Sequence, residues 1–359
     1  MSSVPALIAT LLATIVATAG VILAVFTPHP RPRTESERYF THVLTGEKIE
    51  FSLITDNSPS SSANNSNNNS DSERKRRTSS RLSKGKDQDD DGLGTTVDLT
   101  VVVPAYNETA RLPIMLAETL DFLEARKQKD HKLTFEVLIV DDGSKDGTSK
   151  LARDIAKERK CPHVRVLTLE LNRGKGGAVT QGMMVARGEK LLFADADGAT
   201  RFADVEFLEY ELSKVVKDGH GVAVGSRAHM VKSDAVVKRS AIRNFLMHGF
   251  HTFLLILGIS SIKDTQCGFK LVTRKTAATI FPHMHVEGWI FDIEMLLLAT
   301  WYKIPLVEVP VTWHEVDGSK VNILKDSIRM AIDLLMIRFY YFTGLWSAFG
   351  DNSKEGINE

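Results

Sequence analysis

Lys190-Leu191-Leu192-Phe193-Ala194-Asp195-Ala196-Asp197-Gly198 is the stretch on which the reading of this chain turns. A short apolar run ends abruptly in two carboxylates separated by one small residue. The run has the length of a buried strand rather than of a helix. The same texture extends outward on both sides. Residues 99–103, 135–140, 164–169 and 190–194 are apolar runs of strand length. Residues 112–127, 146–159, 176–187 and 203–217 carry helical spacing between and after them. Continuous apolar strands alternating with amphipathic helices predict an α/β fold, a mostly parallel sheet covered by helices on both faces. Ligands of such sheets bind at the carboxyl ends of the strands. The polar clusters fall there: Pro104-Ala105-Tyr106-Asn107-Glu108, Asp141-Asp142-Gly143-Ser144 and Asp195-Ala196-Asp197.

Those ends suggest chemistry. If its strand continues, alternation sends Asp195 and Asp197 the same way. Two carboxylates on one side suit a hard divalent cation, Mg²⁺ or Mn²⁺, with open positions for diphosphate oxygens. Such a cation neutralises charge on a departing diphosphate. Asp141 and Asp142 are candidates to accept hydrogen bonds from a base or ribose, with Ser144 or Asp146 as the cap of the following helix. Arg173-Gly174-Lys175-Gly176-Gly177 is glycine-rich and basic. No Ser or Thr follows the Lys, so it is not a P-loop. Lys175 is instead a candidate cation beside a diphosphate.

Composition bounds the rest. The 359 residues are 43% hydrophobic, and 45 Lys+Arg balance 45 Asp+Glu. A zero net charge gives no whole-protein basic field for nucleic acid. Two cysteines, Cys161 and Cys267, lack metal-ligand spacing and fit a reducing compartment.

The amino-terminal 21 residues from Ala6 to Phe26 carry no charge. At about 1.5 Å per residue a helix of that length spans a bilayer core of roughly 30 Å. A cleaved leader is the alternative. It is disfavoured because no Lys or Arg precedes the run and the run is long for a leader. Arg31, Arg33 and Arg38 follow it, which puts the carboxyl side in the cytoplasm. Asn107-Glu108-Thr109 is a glycosylation sequon within the strand-end cluster, and a cytosolic location keeps it unmodified.

Domain organisation follows: a short tail 1–5, an anchor 6–26, a cytosolic linker 27–97, an α/β ligand-binding core 98–237, a more apolar, membrane-interface part 238–346, and a tail 347–359. Within the linker, 56–96 is Ser/Asn-rich, then basic, then acidic, and is expected to be disordered. Residues 242–259 and 323–346 are apolar but interrupted by charges. They are expected to form helices in a membrane interface, with core helices as the alternative.

Taken in order, the strand-end motifs resemble the family 2 inverting glycosyltransferases of the GT-A fold. Asn172-Arg173-Gly174-Lys175-Gly176-Gly177, Gly225-Ser226-Arg227-Ala228-His229, Asp264-Thr265-Gln266-Cys267-Gly268-Phe269-Lys270 and Trp289-Ile290-Phe291-Asp292-Ile293-Glu294 narrow the resemblance. They point to members that load a polyprenyl phosphate. The resemblance runs from about Asp98 to Trp346 and includes the anchor. It implies transfer of glucose from UDP-glucose to dolichyl phosphate, with inversion, at the cytosolic face of the endoplasmic reticulum membrane. Mannose or another hexose is the alternative within the class; a non-catalytic sugar-nucleotide scaffold is the alternative outside it. Pro104, Tyr106, Asn107, Glu108, Asp141, Asp142, Lys175 and Asp195 are then expected to hold UDP-glucose. Asp195 and Asp197 are expected to hold the metal. Arg227 and Arg243 are candidates for the acceptor phosphate. Asp197, Asp264 and Asp292 are the candidate catalytic carboxylates. Glu294 is expected to brace its helix and His314 to be structural. In the related mannosyl enzymes a Gln two residues beyond the second Asp helps hold the metal; here that position is Ala199.

Overall fold

Alternation sorts the central strand. Leu99, Val101 and Val103 fall in one apolar core and Val102 in another, on opposite faces of the sheet. The computed structural model describes residues 30–55, 96–230, 262–316 and 323–347. Their strands are β1 (Tyr39–Thr41), β2 (Lys48–Glu50), β3 (Val97–Ala105), β4 (Phe135–Asp141), β5 (Val164–Thr168), β6 (Gly188–Ala194), β7 (Val222–Ser226), β8 (Phe269–Thr273) and β9 (Leu306–Pro310). Their α-helices are α1 (Leu112–Lys129), α2 (Thr148–Glu158), α3 (Lys175–Val185), α4 (Val205–Val215), α5 (Arg274–Ile280), α6 (Phe291–Trp301) and α7 (Ile323–Phe342).

The main sheet has the order β5-β4-β3-β6-β8-β7-β9. Neighbouring strands are parallel except where β8 meets β6 and β7. From β3 the chain steps outward through β4 and β5, then returns to place β6 on the other side. The order therefore reverses between β3 and β6, where a crevice opens at the carboxyl ends. Because β8 runs antiparallel, with Phe269 opposite Ala194, it brings its amino-terminal side to that same edge. The segment 264–268 thus arrives beside Asp195. One face of the sheet carries Leu112, Leu116 and Leu120 of α1 with Val205 and Leu208 of α4. The other carries Val179 and Met183 of α3, most of α6, and Leu334, Ile337 and Tyr340 of α7.

The part expected to be a linker is only partly one. Residues 30–55 fold onto the α/β core as a strap around the β1–β2 hairpin, in which Phe40 faces Ile49. Phe40, Phe51 and Ile54 are buried in the α3–α6 face, and Ile54 N donates to Met184 O at 2.7 Å. The Arg165 guanidinium lies 4.7 Å from the Phe40 ring. Their apolar side chains meet this face of the core, which a composition reading of the linker as a whole did not register. Cys161 and Cys267 are both buried free thiols.

The anchor at 6–26, the low-complexity stretch, the apolar segment 242–259 with Arg243, and the terminal tail beyond 347 lie outside the described residues. Among the described helices none is long and apolar enough to cross a membrane. Of the two alternatives for 323–346, the core-helix reading holds for one side of α7. Leu334 and Ile337 pack into the core, whereas Ile332, Leu335, Phe339 and Phe342 are exposed.

Candidate active site

The loops after β3 and β4 are zipped together. Asn107 sits at φ 52°, a conformation Asn tolerates better than most residues. Its N–H donates to Ser144 Oγ at 2.8 Å, and its side-chain oxygen accepts from Lys145 N at 2.9 Å. Glu108 N donates to Thr148 Oγ1 at 2.9 Å. Tyr106 is exposed at the rim, and Pro104 is half-buried near the end of β3. The helix cap differs from expectation. Gly147 precedes α2, and Ser144 serves Asn107 instead. Asp146 accepts from Thr148 N at 3.0 Å and Thr109 N at 3.1 Å. Burial would raise its pKa, but the hydrogen bonds from Thr148 and Thr109 outweigh that and bring it to about 2.

Asp141 and Asp142 brace the fold with every carboxylate oxygen. Asp141 Oδ1 accepts from Ser144 N at 2.9 Å and Oδ2 from Ser149 N at 3.0 Å. Asp142 Oδ1 accepts from Arg173 N at 2.7 Å and Oδ2 from Gly174 N at 2.9 Å. Asp141 thus holds the loop and the first turn of α2, and Asp142 holds the turn that leads to Lys175. Burial still pushes the Asp142 carboxyl up to about 6, against the pull of the two N–H groups.

The glycines of 174–177 answer to packing. A Cβ on Gly174 would lie 2.5 Å from Glu287 O, and one on Gly176 would lie 2.6 Å from Val286 O. The turn must sit flush against residues 286–288 before α6, and Gly177 N donates to Glu287 O at 3.1 Å. That seating directs Lys175 into the crevice. Its Nζ lies 2.7 Å from Asp195 Oδ1 and donates to Oδ2 at 2.9 Å. The Oδ1 contact is electrostatic, and that buried oxygen receives no aligned hydrogen bond.

Strand β6 stops at Ala194, so Asp195 and Asp197 occupy a turn rather than alternating strand positions, with Gly198 N 3.5 Å from Asp195 O. Ala199 N donates to Asp197 Oδ1 at 3.0 Å. Both aspartates line one cavity with Met115, Glu118, Thr119, Thr200 and Phe202. Burial, then the Asp195 charge, holds the Asp197 carboxyl above its usual range. For Lys175, burial is outweighed by Asp195, Asp292 and Asp197, which hold its ammonium above the usual lysine range. Two carboxylates lining one cavity, one of them destabilised by its neighbour's charge, fit a hard divalent cation. Among the described residues no third carboxylate, imidazole or thiol joins them in a preformed cluster. His314 comes near through its backbone, donating from N to Ala199 O at 2.9 Å, with its side chain exposed.

Two candidates on the far side of the crevice form one unit. Arg227 forks onto Asp264, Nε to Oδ2 at 2.7 Å and Nη2 to Oδ1 at 2.9 Å, and its backbone N donates to Oδ2 at 2.9 Å. The guanidinium also lies 5.6 Å from the Trp313 ring. Burial alone would raise the Asp264 carboxyl; Arg227 holds it below the usual range instead.

Asp292 departs from expectation. It is buried on α6 and accepts from Lys270 Nζ at 2.6 Å. Lys270 is fully buried and also donates to Cys267 O at 2.6 Å. Asp292 therefore lies behind Lys175, in the charge lattice that supports the crevice, rather than at its open surface. Glu294, expected to brace its helix, ties other segments to it: it accepts from Val286 N at 2.7 Å and from Tyr341 Oη of α7 at 2.8 Å.

Three contributors went unassigned in the sequence. Lys270 carries a signal there, a lone Lys in the apolar run Phe269–Thr273. Arg111 follows Glu108 by one helical turn and forks onto it at 2.8 and 2.6 Å. The Glu108 hydrogen bonds, with smaller contributions from Asp197 and Asp195, hold its guanidinium above the usual range despite burial. Gly268 is the third: a Cβ there would fall 2.0 Å from Asp195 Oδ2.

Residues 100–281 match the profile described as glycosyl transferase family 2. The chain belongs to this family. It is 50% identical over 248 residues to a dolichyl-phosphate beta-glucosyltransferase of Dictyostelium discoideum, covering 69% of this chain and 76% of that one. It is 49% identical over 266 residues to the Saccharomyces cerevisiae protein of the same name, covering 71% and 78%. The Homo sapiens protein of that name is 49% identical over 253 residues, covering 70% and 78%. Among solved structures, glucosyl-3-phosphoglycerate synthase from Mycobacterium tuberculosis, in complex with Mn²⁺, UDP and glucosyl-3-phosphoglycerate, aligns with a TM-score of 0.47 at 19% identity, covering 67% and 80%. The family region holds every strand-end group from Pro104 to Lys270, whereas Asp292 and the α7 contacts come from beyond it.

Proposed function

We propose that this chain transfers glucose from UDP-glucose to dolichyl phosphate with inversion, at the cytosolic face of the endoplasmic reticulum membrane. The observation that carries the reading is the Lys175–Asp195–Asp197 cluster at the crevice where the strand order reverses. Relatives named for glucose transfer to dolichyl phosphate, near half identical over about three quarters of their length, support the substrates.

The acceptor is a phosphate monoester with a second pKa of about 6, so near neutrality it is already mostly a dianion. A strong general base is unnecessary. The site has to align two anions that repel each other and disperse charge on the leaving diphosphate. Asp195 and Asp197 would hold Mg²⁺ or Mn²⁺, which when bound neutralises that charge. Lys175 and Arg111 add fixed positive charge on either side of the two aspartates. Arg227 spends Nε and Nη2 on Asp264, and its Nη1, which takes no partner among the described residues, would bind the acceptor phosphate. Asp264 thereby acts by orienting that fork. Arg243 would supply a second acceptor cation.

The membrane assignment rests on the apolar amino-terminal segment and the exposed apolar side chains of α7. Arg31, five residues beyond the apolar segment, pairs with Glu287 at 3.4 Å. A Cβ on the adjacent Gly288 would lie 3.2 Å from Asp333 Oδ2 of α7. Anchor and α7 are thus taken to meet one lipid surface.

The test uses purified full-length protein with radiolabelled UDP-glucose and dolichyl phosphate. Chelation should stop transfer, and Mg²⁺ or Mn²⁺ should restore it. Asp197→Ala should lower turnover by roughly 10³-fold with the thermal midpoint nearly unchanged. Near-normal turnover of that variant would reject the metal role.

A further inference from the structure

The turn that carries Lys175 is held from two sides. From inside, Asp142 accepts the Arg173 and Gly174 N–H groups. From outside, the strap grips Arg173. Arg173 Nη2 donates to Glu37 Oε2 and to Pro32 O, each at 2.8 Å, and Nη1 donates to Arg31 O. Glu37 Oε1 accepts from Glu170 N at 3.0 Å, and Arg31 Nη2 donates to Asn172 O at 2.7 Å. The strap thus touches both flanks of the 170–174 segment. The side chains of the Glu37–Arg173 pair are only 2% and 3% exposed.

Burying such a pair is a poor route to stability, because desolvation offsets most of the attraction. The strap does not need it for adhesion, since Phe40, Phe51 and Ile54 already bury apolar surface against the core. What the pair adds is direction. It fixes the path of the turn from which Lys175 reaches Asp195. We infer that Glu37 and Arg173 are positioning residues for the donor site, so that the segment following the amino-terminal apolar stretch sets how tightly the sugar nucleotide is held. The inference rests on the reading that Lys175 serves the donor diphosphate.

The test is a set of full-length variants in one vesicle preparation, with KM measured separately for UDP-glucose and dolichyl phosphate. Glu37→Gln should raise the donor KM about tenfold and leave the acceptor KM within about twofold, a split that general loss of structure does not produce. Glu37→Leu combined with Arg173→Met removes both buried charges. It should recover the thermal midpoint while the donor KM stays raised. Recovery of both in the double variant, or an equal rise in both KM values for Glu37→Gln, would overturn the inference. Lys175→Met separates the two claims. If it raises the donor KM and the Glu37 variants do not, the positioning role alone fails. If it leaves the donor KM unchanged, the Lys175 reading fails and this route falls with it.

Discussion

Gly268 shows how closely the Asp195 carboxylate is confined. Its main-chain oxygen accepts from Asp195 N at 3.1 Å, and the space where a Cβ would sit is filled by the carboxylate itself. Gly268→Ala should displace Asp195 from Lys175 and lower turnover roughly 10²-fold, the cost of an ångström-scale misplacement. Steady-state turnover alongside the circular dichroism of the folded variant checks this; full activity would show that Asp195 need not stay where it is. Lys270 and Asp292 pose a different question, that of paired charge in a dry interior. Lys270→Met leaves Asp292 buried and unpaired, and should cost about 3–5 kcal/mol in denaturant unfolding. Adding Asp292→Leu should return most of that loss. The grouping of Asp195, Asp197 and Lys175 was legible because carboxylates and a lysine at strand ends stand out against apolar runs. The burial of Asp292 against Lys270 was not legible, because whether an acid faces a cavity or another buried charge depends on β8 and α6 meeting, which neither segment states alone.

At the scale of elements, the eight strands and helices between 99 and 217 were legible because hydrophobic period and strand length agree in each. The antiparallel entry of β8 was not, since pairing direction leaves no mark in a five-residue apolar run. The strap was missed for a related reason: its apolar contacts come from a few residues spread over 30–55, and its polar ones depend on Arg173 lying far along the chain. The loop 141–144 carries a pH dependence. Asp142 in the folded chain has a pKa near 6, above the roughly 3.9 of an unfolded Asp. Between about pH 4 and 6 the folded state therefore binds the extra proton, and the stability this group contributes falls as pH rises across that window. Asp142→Asn removes the titration, so its thermal midpoint should fall less than the parent's between pH 4.5 and 7. Identical slopes would place the dependence elsewhere.

At the scale of the whole molecule, the net charge of zero conceals local segregation. At the carboxyl ends of the strands Asp195 and Asp197 gather Lys175 and Arg111 around them, Arg227 pairs with Asp264, and the buried Lys270–Asp292 pair lies behind. The residues that build the crevice arrive from both sides of the family region, with the strap before it and α6 and α7 after it. One measurement decides the choice of donor and acceptor. Purified full-length protein in vesicles, supplied with dolichyl phosphate and either radiolabelled UDP-glucose or radiolabelled GDP-mannose, tests it most directly. A chloroform-soluble labelled product should form from UDP-glucose alone and depend on dolichyl phosphate. A lipid-linked product from GDP-mannose, or none from UDP-glucose with folded protein, would contradict that choice.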